Sequence, residues 1–385
     1  MKIVVTKLII GINFIALIVI IVAGFWPFDF KPPNNIYRLN KKNGIVFKNN
    51  SIVYEPNVKI GRGILSYYSV VNELGIEFLF KPLDSSINNI STILSFYDEN
   101  DPEIFMIAQW KSNLILRRRI TQSKNKNTYH ENNVPNVIFP GKKLFVVVIL
   151  NSKSATVYID GIKKASFSFY PITTDDNKYQ NSRIMLGNNP AIKYPFHGEI
   201  YGLAIYNRTL NEKDISKHYL IWNYNDLQYL KKETGLIAFY PMNERSGSVI
   251  HNIVSNGNNM IIPDNLYALK KTFLGKPWRQ FWKIKNFYYD LAINICGFIP
   301  LGFLLLTLFV SHYERYTTKY SIITILVGSS VSLFIELVQA YLPARSSDII
   351  DLISNSFGTI LGVIIFHIIY NHYRPKMKKT GLIRF

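Results

Sequence analysis

The chain alternates between two kinds of patterning. Four stretches, Leu8–Trp26, Leu291–Val310, Ile322–Leu342 and Ile349–Tyr370, are nearly continuous apolar runs, each about as long as a helix needs to cross a bilayer. Between the first and second, short strand-like runs recur: Gly75–Lys81, Thr92–Tyr97, Glu103–Trp110, Leu114–Ile120, Lys143–Leu150, Ala155–Ile159 and Gly198–Tyr206. Loops of Asn, Ser, Lys and Pro separate them, which predicts an antiparallel β-sandwich over residues 32–263. Asn151–Ser154 makes one turn, and Asp160-Gly161 has the composition of a type I′ hairpin turn. After the Gly198 strand a short helix is expected, with Thr209 and Asn211 as candidate caps. Gly235–Pro263 reads as a late strand completing the same sandwich, the alternative being a truncated remnant. Isolated strands are unstable, which favours the first.

The first apolar run follows Lys2 and Lys7 and ends in Phe25-Trp26-Pro27-Phe28. It is longer than a signal-peptide core and no A-x-A site follows, so residues 1–28 read as an uncleaved anchor rather than a cleaved signal. Residues 270–289 interleave aromatic and basic side chains, the pattern of a segment lying at a membrane interface. Residues 290–375 then hold three spans, and 376–385 form a basic tail. The fold class expected is therefore a β-sandwich plus a transmembrane α-helical bundle.

Polar residues interrupt the last apolar runs at regular spacing. Glu336 and Gln339 lie three apart before the Leu342–Ser347 hairpin; Asp348, Asp351 and Asn355 lie three and four apart after it. Each set shares one helical face. With the hairpin on the outer side, Gln339 lies about 6 Å and Glu336 about 10 Å below it. Asp290 and Asn294 begin the preceding span in the same layer. Ionisable groups at such depth are costly and mark function by default. The expectation is a polar pocket made by Asp290, Asn294, Glu336, Gln339, Asp348, Asp351 and Asn355, with Arg345 at its rim offering paired donors to a phosphate or carboxylate or compensating Glu336. For Asn294, Gln339 and Asn355 helix-to-helix hydrogen bonding is an equal reading. Asp348 is read first as a helix cap, with Ser346 or Ser347 as alternatives. Gly358 and Gly362 form a G-x-x-x-G contact motif.

Composition narrows the partners. The 385 residues carry a formal net charge of +19, which suits anionic lipid or an anionic envelope polymer; no nucleic-acid-binding motif is present. The single cysteine, Cys296, excludes a disulfide framework. An acidic loop at Asp175, Asp176 and Asn177 is a weak candidate for calcium, with a solvated loop the better reading. No His, Ser or Lys stands at nucleophile or base spacing beside the carboxylates, so binding is favoured over catalysis and no cofactor is expected. Lys2, Lys7, Arg315, Lys319 and the basic tail fall on one side if the spans number four, which puts both termini in the cytoplasm and the sandwich outside. Lys270, Lys271, Lys276, Arg279, Lys283 and Lys285 break that rule.

Two family resemblances follow from particular motifs. E-x-x-Q at Glu336, then Arg345, then D-x-x-D-x-x-x-N-x-x-G from Asp348 to Gly358, preceded by Asp290, Asn294 and Phe298–Gly302, resembles a VanZ-like membrane domain. Val157–Gly161, Phe196–Ile200 and Tyr206–Leu210 resemble the laminin-G-like, or concanavalin A-like, jelly roll. The first resemblance implies a bacterial cytoplasmic-membrane protein tied to the cell envelope; the founding VanZ protein is associated with glycopeptide resistance. The expected reading is a sandwich that binds envelope glycan or protein and a bundle that binds an anionic lipid or lipid-linked precursor. An enzyme acting on such a lipid, and a scaffold without a ligand, are the alternatives.

Overall fold

The computed structural model describes residues 2–56, 63–84, 90–99, 101–122, 126–168, 181–254, 258–269, 271, 273–275, 287–313, 316–343 and 345–379. In chain order the elements are α1 (Lys2–Phe25), β1 (Ile36–Arg38), β2 (Ile45–Phe47), β3 (Val53–Tyr54), α2 (Ile64–Val71), β4 (Leu74–Pro82), β5 (Ser91–Tyr97), β6 (Phe105–Trp110), β7 (Asn113–Gln122), β8 (Lys126–Val134), β9 (Leu144–Leu150), β10 (Ser154–Ile159), β11 (Ile162–Ser168), β12 (Arg183–Leu186), β13 (Gly198–Tyr206), α3 (Glu212–Tyr224), a 3₁₀ helix (Leu227–Lys232), β14 (Leu236–Tyr240), β15 (Val249–Ile250), β16 (Met260–Ile261), α4 (Phe287–Tyr313), α5 (Thr318–Gln339) and α6 (Ile349–Lys379). They form two compact units: Pro32–Lys270, and Met1–Lys31 with Lys271–Phe385.

The first unit is a sandwich of two antiparallel sheets. One runs β1-β2-β13-β4-β9-β10-β11, with β14 also on β13; the other runs β15-β16-β3-β12-β5-β6-β7-β8. Alternating side chains of both sheets meet in one core, among them Phe47, Phe78, Phe80, Phe96, Phe105, Phe196 and Tyr240. The Asp160-Gly161 turn is as its composition predicts: both residues have positive φ, 52° and 80°, and Ile159 pairs with Ile162 across it. The Gly235 segment does enter the sandwich. β14 pairs with the second half of β13, and β16 pairs with β3.

The opposite face of the first sheet is covered by α3 and the 3₁₀ helix. Asn211 caps α3 and closes a capping box with Asp214. The helix is pinned through its buried side by one carboxylate. Glu77, in the middle of the apolar strand β4, meets His218 Nδ1 at 2.6 Å and accepts from Tyr206 Oη and Trp222 Nε1, each at 3.2 Å. Burial alone would pull His218 down; the Glu77 hydrogen bond and the charges of Glu77 and Glu233 raise it above its ordinary value. A second buried carboxyl, Glu55, accepts from Tyr240 Oη at 2.6 Å and Ile184 N at 3.0 Å. Burial, only partly offset by those bonds, raises it to about 7.

The second unit is a bundle of α1, α4, α5 and α6, and these four helices are long and apolar enough to cross a membrane. Their polarity is inverted relative to a water-soluble bundle. On α5 the buried positions include Ser321, Thr324, Gly328, Ser332, Glu336 and Gln339, whereas Ile322, Leu326, Leu333, Phe334 and Leu337 are exposed. On α6 Ser354, Asn355 and Thr359 are buried, while Ile353, Phe357, Ile364 and Ile368 face out. Small and polar groups inside with apolar groups outside is the arrangement that lipid favours. Gly358 and Gly362 let α6 press on α4: a Cβ on either would collide with the carbonyl of Ile295 or Ile299. α1 joins the bundle through Asn13, whose Nδ2 donates to the Leu304 carbonyl at 3.1 Å. α4 begins at Phe287, so residues 287–289 of the expected interfacial segment belong to this helix; residues 276–286 lie outside the described residues. α6 runs on to Lys379, into the expected tail.

Candidate functional site

The α5–α6 hairpin collects most of the polar residues singled out above. Glu336 is 1% exposed, and its Oε2 accepts the backbone N–H of Asp348 at 2.7 Å. Asp348 in turn accepts the N–H of Ile350 at 2.9 Å, capping α6. Two carboxylates thus close the amino end of one helix, where the free N–H groups and the helix dipole favour negative charge. The expectation is that Arg345 or a bound ligand group compensates Glu336, and Arg345 is not its partner. Among the described residues no ion pair joins them; the Arg345 Nη2 donates instead to the Ala23 carbonyl of α1 at 3.2 Å. The physical reason is local: a peptide N–H at a helix start is already the partner a buried carboxylate needs.

One turn into α6, Asp351 Oδ1 accepts from Asn294 Nδ2 of α4 at 2.8 Å. Deeper still, Asn355 Nδ2 donates to Ser332 Oγ of α5 at 3.0 Å. Gln339 Nε2 donates to the Gly24 carbonyl of α1 at 2.8 Å. The helix-to-helix role anticipated for Asn294, Gln339 and Asn355 is therefore present in each. Yet among the described residues Gln339 Oε1 and Asn355 Oδ1 are buried with no hydrogen-bond partner. Asp290 stands exposed one turn before Asn294, with no hydrogen bond among the described residues.

A strap that sequence reasoning did not anticipate borders this layer. Lys271 Nζ donates to the carbonyls of Leu342 and Arg345, the latter at 2.6 Å. Leu274 N donates to Ser347 Oγ at 3.0 Å, and Gly275 N to the Ser347 carbonyl at 2.9 Å. Its signal in the sequence was slight, since Lys271 read only as one of several basic residues breaking the charge rule.

The sandwich has its own polar cluster, on the outer face of the β5–β8 sheet. Register puts Arg117 opposite Glu131 and Arg119 opposite Tyr129. Arg117 pairs with Glu131 at 2.5 Å and lies over the Tyr129 and Tyr194 rings, 5.2 and 5.8 Å from their centroids. Arg119 pairs with Asp101 at 2.9 Å. Three consecutive arginines in a strand were the overlooked signal. Among the described residues no group of three or more His, Cys, Asp or Glu is placed to hold a metal ion. Asp175 and Asp176 lie outside the described residues.

With this geometry established, comparison with known proteins places both units. The chain matches the VanZ/LLP1 family model over residues 235–370 and the concanavalin A-like lectin/glucanases superfamily model over residues 71–216. The VanZ/LLP1 match begins inside the sandwich, at β14. No curated protein matches the chain. Among solved structures it is similar to a putative carbohydrate binding protein from Bacteroides ovatus, at 14% identity over 60% of this chain and 63% of that one, with a TM-score of 0.40. It is also similar to the CBM40 of a Ruminococcus gnavus IT-sialidase, at 16% identity over 46% of this chain and 97% of that one, with a TM-score of 0.36. Identities this low and TM-scores below 0.5 support no transfer of function. The chain thus combines an antiparallel β-sandwich matching the concanavalin A-like model with apolar helices matching the VanZ/LLP1 model, the combination its motifs led us to expect.

Proposed function

We propose that this is a multi-pass protein of a bacterial cytoplasmic membrane whose bundle holds the head group of an anionic, hydroxyl-rich lipid or lipid-linked precursor, and whose exported sandwich binds an envelope glycan. Asp351 carries the first half of the reading. It is a carboxylate on the first turn of a membrane helix, held through one oxygen by Asn294, with no second hydrogen bond among the described residues. The Asp351 carboxylate is an acceptor for ligand hydroxyls, and Arg345 and Lys271 supply positive charge for a phosphate. The lectin/glucanase kinship of the sandwich supports the second half. Binding is favoured over catalysis because Glu336 and Asp348 are committed to capping α6.

Lipid identification tests the reading. The full chain is purified in mild detergent and its retained lipids are identified by native mass spectrometry. One enriched lipid class bearing a phosphate and free hydroxyls is the expected result; a lipid mixture mirroring the bulk membrane would leave the bundle as an anchor. The basic residues near the termini and between the second and third spans support a cytoplasmic location for both termini, so a phosphatase reporter fused after Phe385 should be inactive.

A further inference from the structure

The sandwich carries a polar cleft of about 470 Å³ on the side covered by helices, within the range of roughly 300–1,000 Å³ of small-molecule sites. One wall is the end of α3 and the 3₁₀ helix, with Asn225, Asp226, Gln228 and Lys231. The other is the turn after β14, with Asn243 and Arg245, and Asn43 closes one end. Both walls are held rigidly. Asn225 caps α3 in the left-handed conformation, φ 59°, and accepts from Asn43 Nδ2 at 3.1 Å. Met242 is fully buried, yet its φ is 51°. Such left-handed backbone at a side-chain-bearing residue persists only where its surroundings fix it, and it concentrates at ligand sites. Its carbonyl accepts from Gly44 N at 2.8 Å. Arg245 ties the turn to the β1–β2 loop through the Leu39 and Lys42 carbonyls, at 3.1 and 2.7 Å.

The groups that remain uncommitted define the ligand. Among the described residues the side chains of Asp226, Gln228, Lys231 and Asn243 make no hydrogen bond to protein. Asp226 and Lys231 offset each other, Arg245 keeps its charge at the wall with Nη1 turned to the Leu39 and Lys42 carbonyls, and the amides of Gln228 and Asn243 each both donate and accept. Tyr224 and Tyr229, each next in sequence to a residue of the lining, are 74% and 58% exposed. The outer-face cluster around Arg117 is the opposite case, because its charges are already paired with one another. We propose that this cleft binds a neutral oligosaccharide, its hydroxyls bridged by Gln228 and Asn243 and a sugar ring laid on Tyr224. The proposal rests on the glycan-binding reading of the sandwich and gives that activity a location away from the open sheet face.

The test uses the full chain in detergent and two probes, a tetrasaccharide of β-linked N-acetylglucosamine and maltotetraose, titrated calorimetrically. At least one should bind. Asn243→Ala, Gln228→Ala and Tyr224→Ala should each weaken it at least fivefold with unchanged melting, since these side chains are solvent-facing; Arg117→Ala should leave it unchanged. Binding that survives the three cleft substitutions and is lost in Arg117→Ala would overturn the cleft while keeping a glycan-binding sandwich. Failure of both probes to bind would count against the two readings together.

Discussion

At position 336 a carboxylate almost wholly out of solvent finds its partner in a peptide N–H rather than in a cation. Removing it should therefore matter for folding as well as for binding. In Glu336→Leu the Asp348 N–H is left buried and unpaired, at a cost of about 1–3 kcal/mol; Glu336→Gln keeps an acceptor and should lose less than about 1 kcal/mol. Thermal unfolding of both variants in detergent checks this, and a Leu variant as stable as wild type would refute the capping role. In the sandwich, Glu55 and His218 both titrate above their unfolded values, of 4.5 and 6.5. A raised value stabilises below the unfolded pKa and loses that contribution as pH rises through the folded one. Stability of the sandwich should thus fall from pH 4.5 to about 7 on account of Glu55, and further above 6.5 on account of His218. Melting curves of Glu55→Gln should lack the first decline and those of His218→Gln the second. The membrane acids were legible because a charge inside an apolar run is conspicuous. Glu77 sat equally alone in Gly75–Lys81, but its partners His218, Tyr206 and Trp222 are brought to it only by tertiary folding.

Among elements, α6 depends on its glycines. Substituting Gly362 with Ala sets a Cβ against the Ile299 carbonyl; overpacking of this kind costs about 1–3 kcal/mol, and a melting shift for Gly362→Ala absent from Gly11→Ala, where space is open, is the expected outcome. The closing strands give a second test. A soluble fragment of residues 32–263 should fold, whereas ending it at 230 removes β14, with its buried Phe239 and Tyr240, and should lower the melting temperature sharply or prevent folding. Equal melting of the two fragments would make β14 a mere linker. The long apolar strands were readable from sequence because their side chains are buried on both faces. β8 was not, because Lys126–Val134 is an edge strand paired only with β7 and can stay polar. The short β1, β3 and β12 gain their order from neighbours, not from any pattern of their own.

For the whole molecule, the division into a sandwich and a membrane unit was visible in where apolar runs begin and stop. The inclusion of the N-terminal helix in the bundle was not, since Asn13, Gly24 and Ala23 become contact points only once α4, α5 and Arg345 are in place. In the proposed function, polar groups inside the bundle select a lipid head group. The most direct test is lipid retention by the full chain against Asp351→Asn and Arg345→Ala, measured by native mass spectrometry with phosphatidylglycerol and phosphatidylethanolamine supplied in equal amounts. Neither substitution removes a cap of α6, so melting should change little. Wild type should retain phosphatidylglycerol in preference to phosphatidylethanolamine, and Arg345→Ala should lose at least tenfold of that preference, about 1.4 kcal/mol, whereas Asp351→Asn, which keeps an acceptor oxygen, should lose less. A preference unchanged in both variants, or none in wild type, would contradict the proposed function.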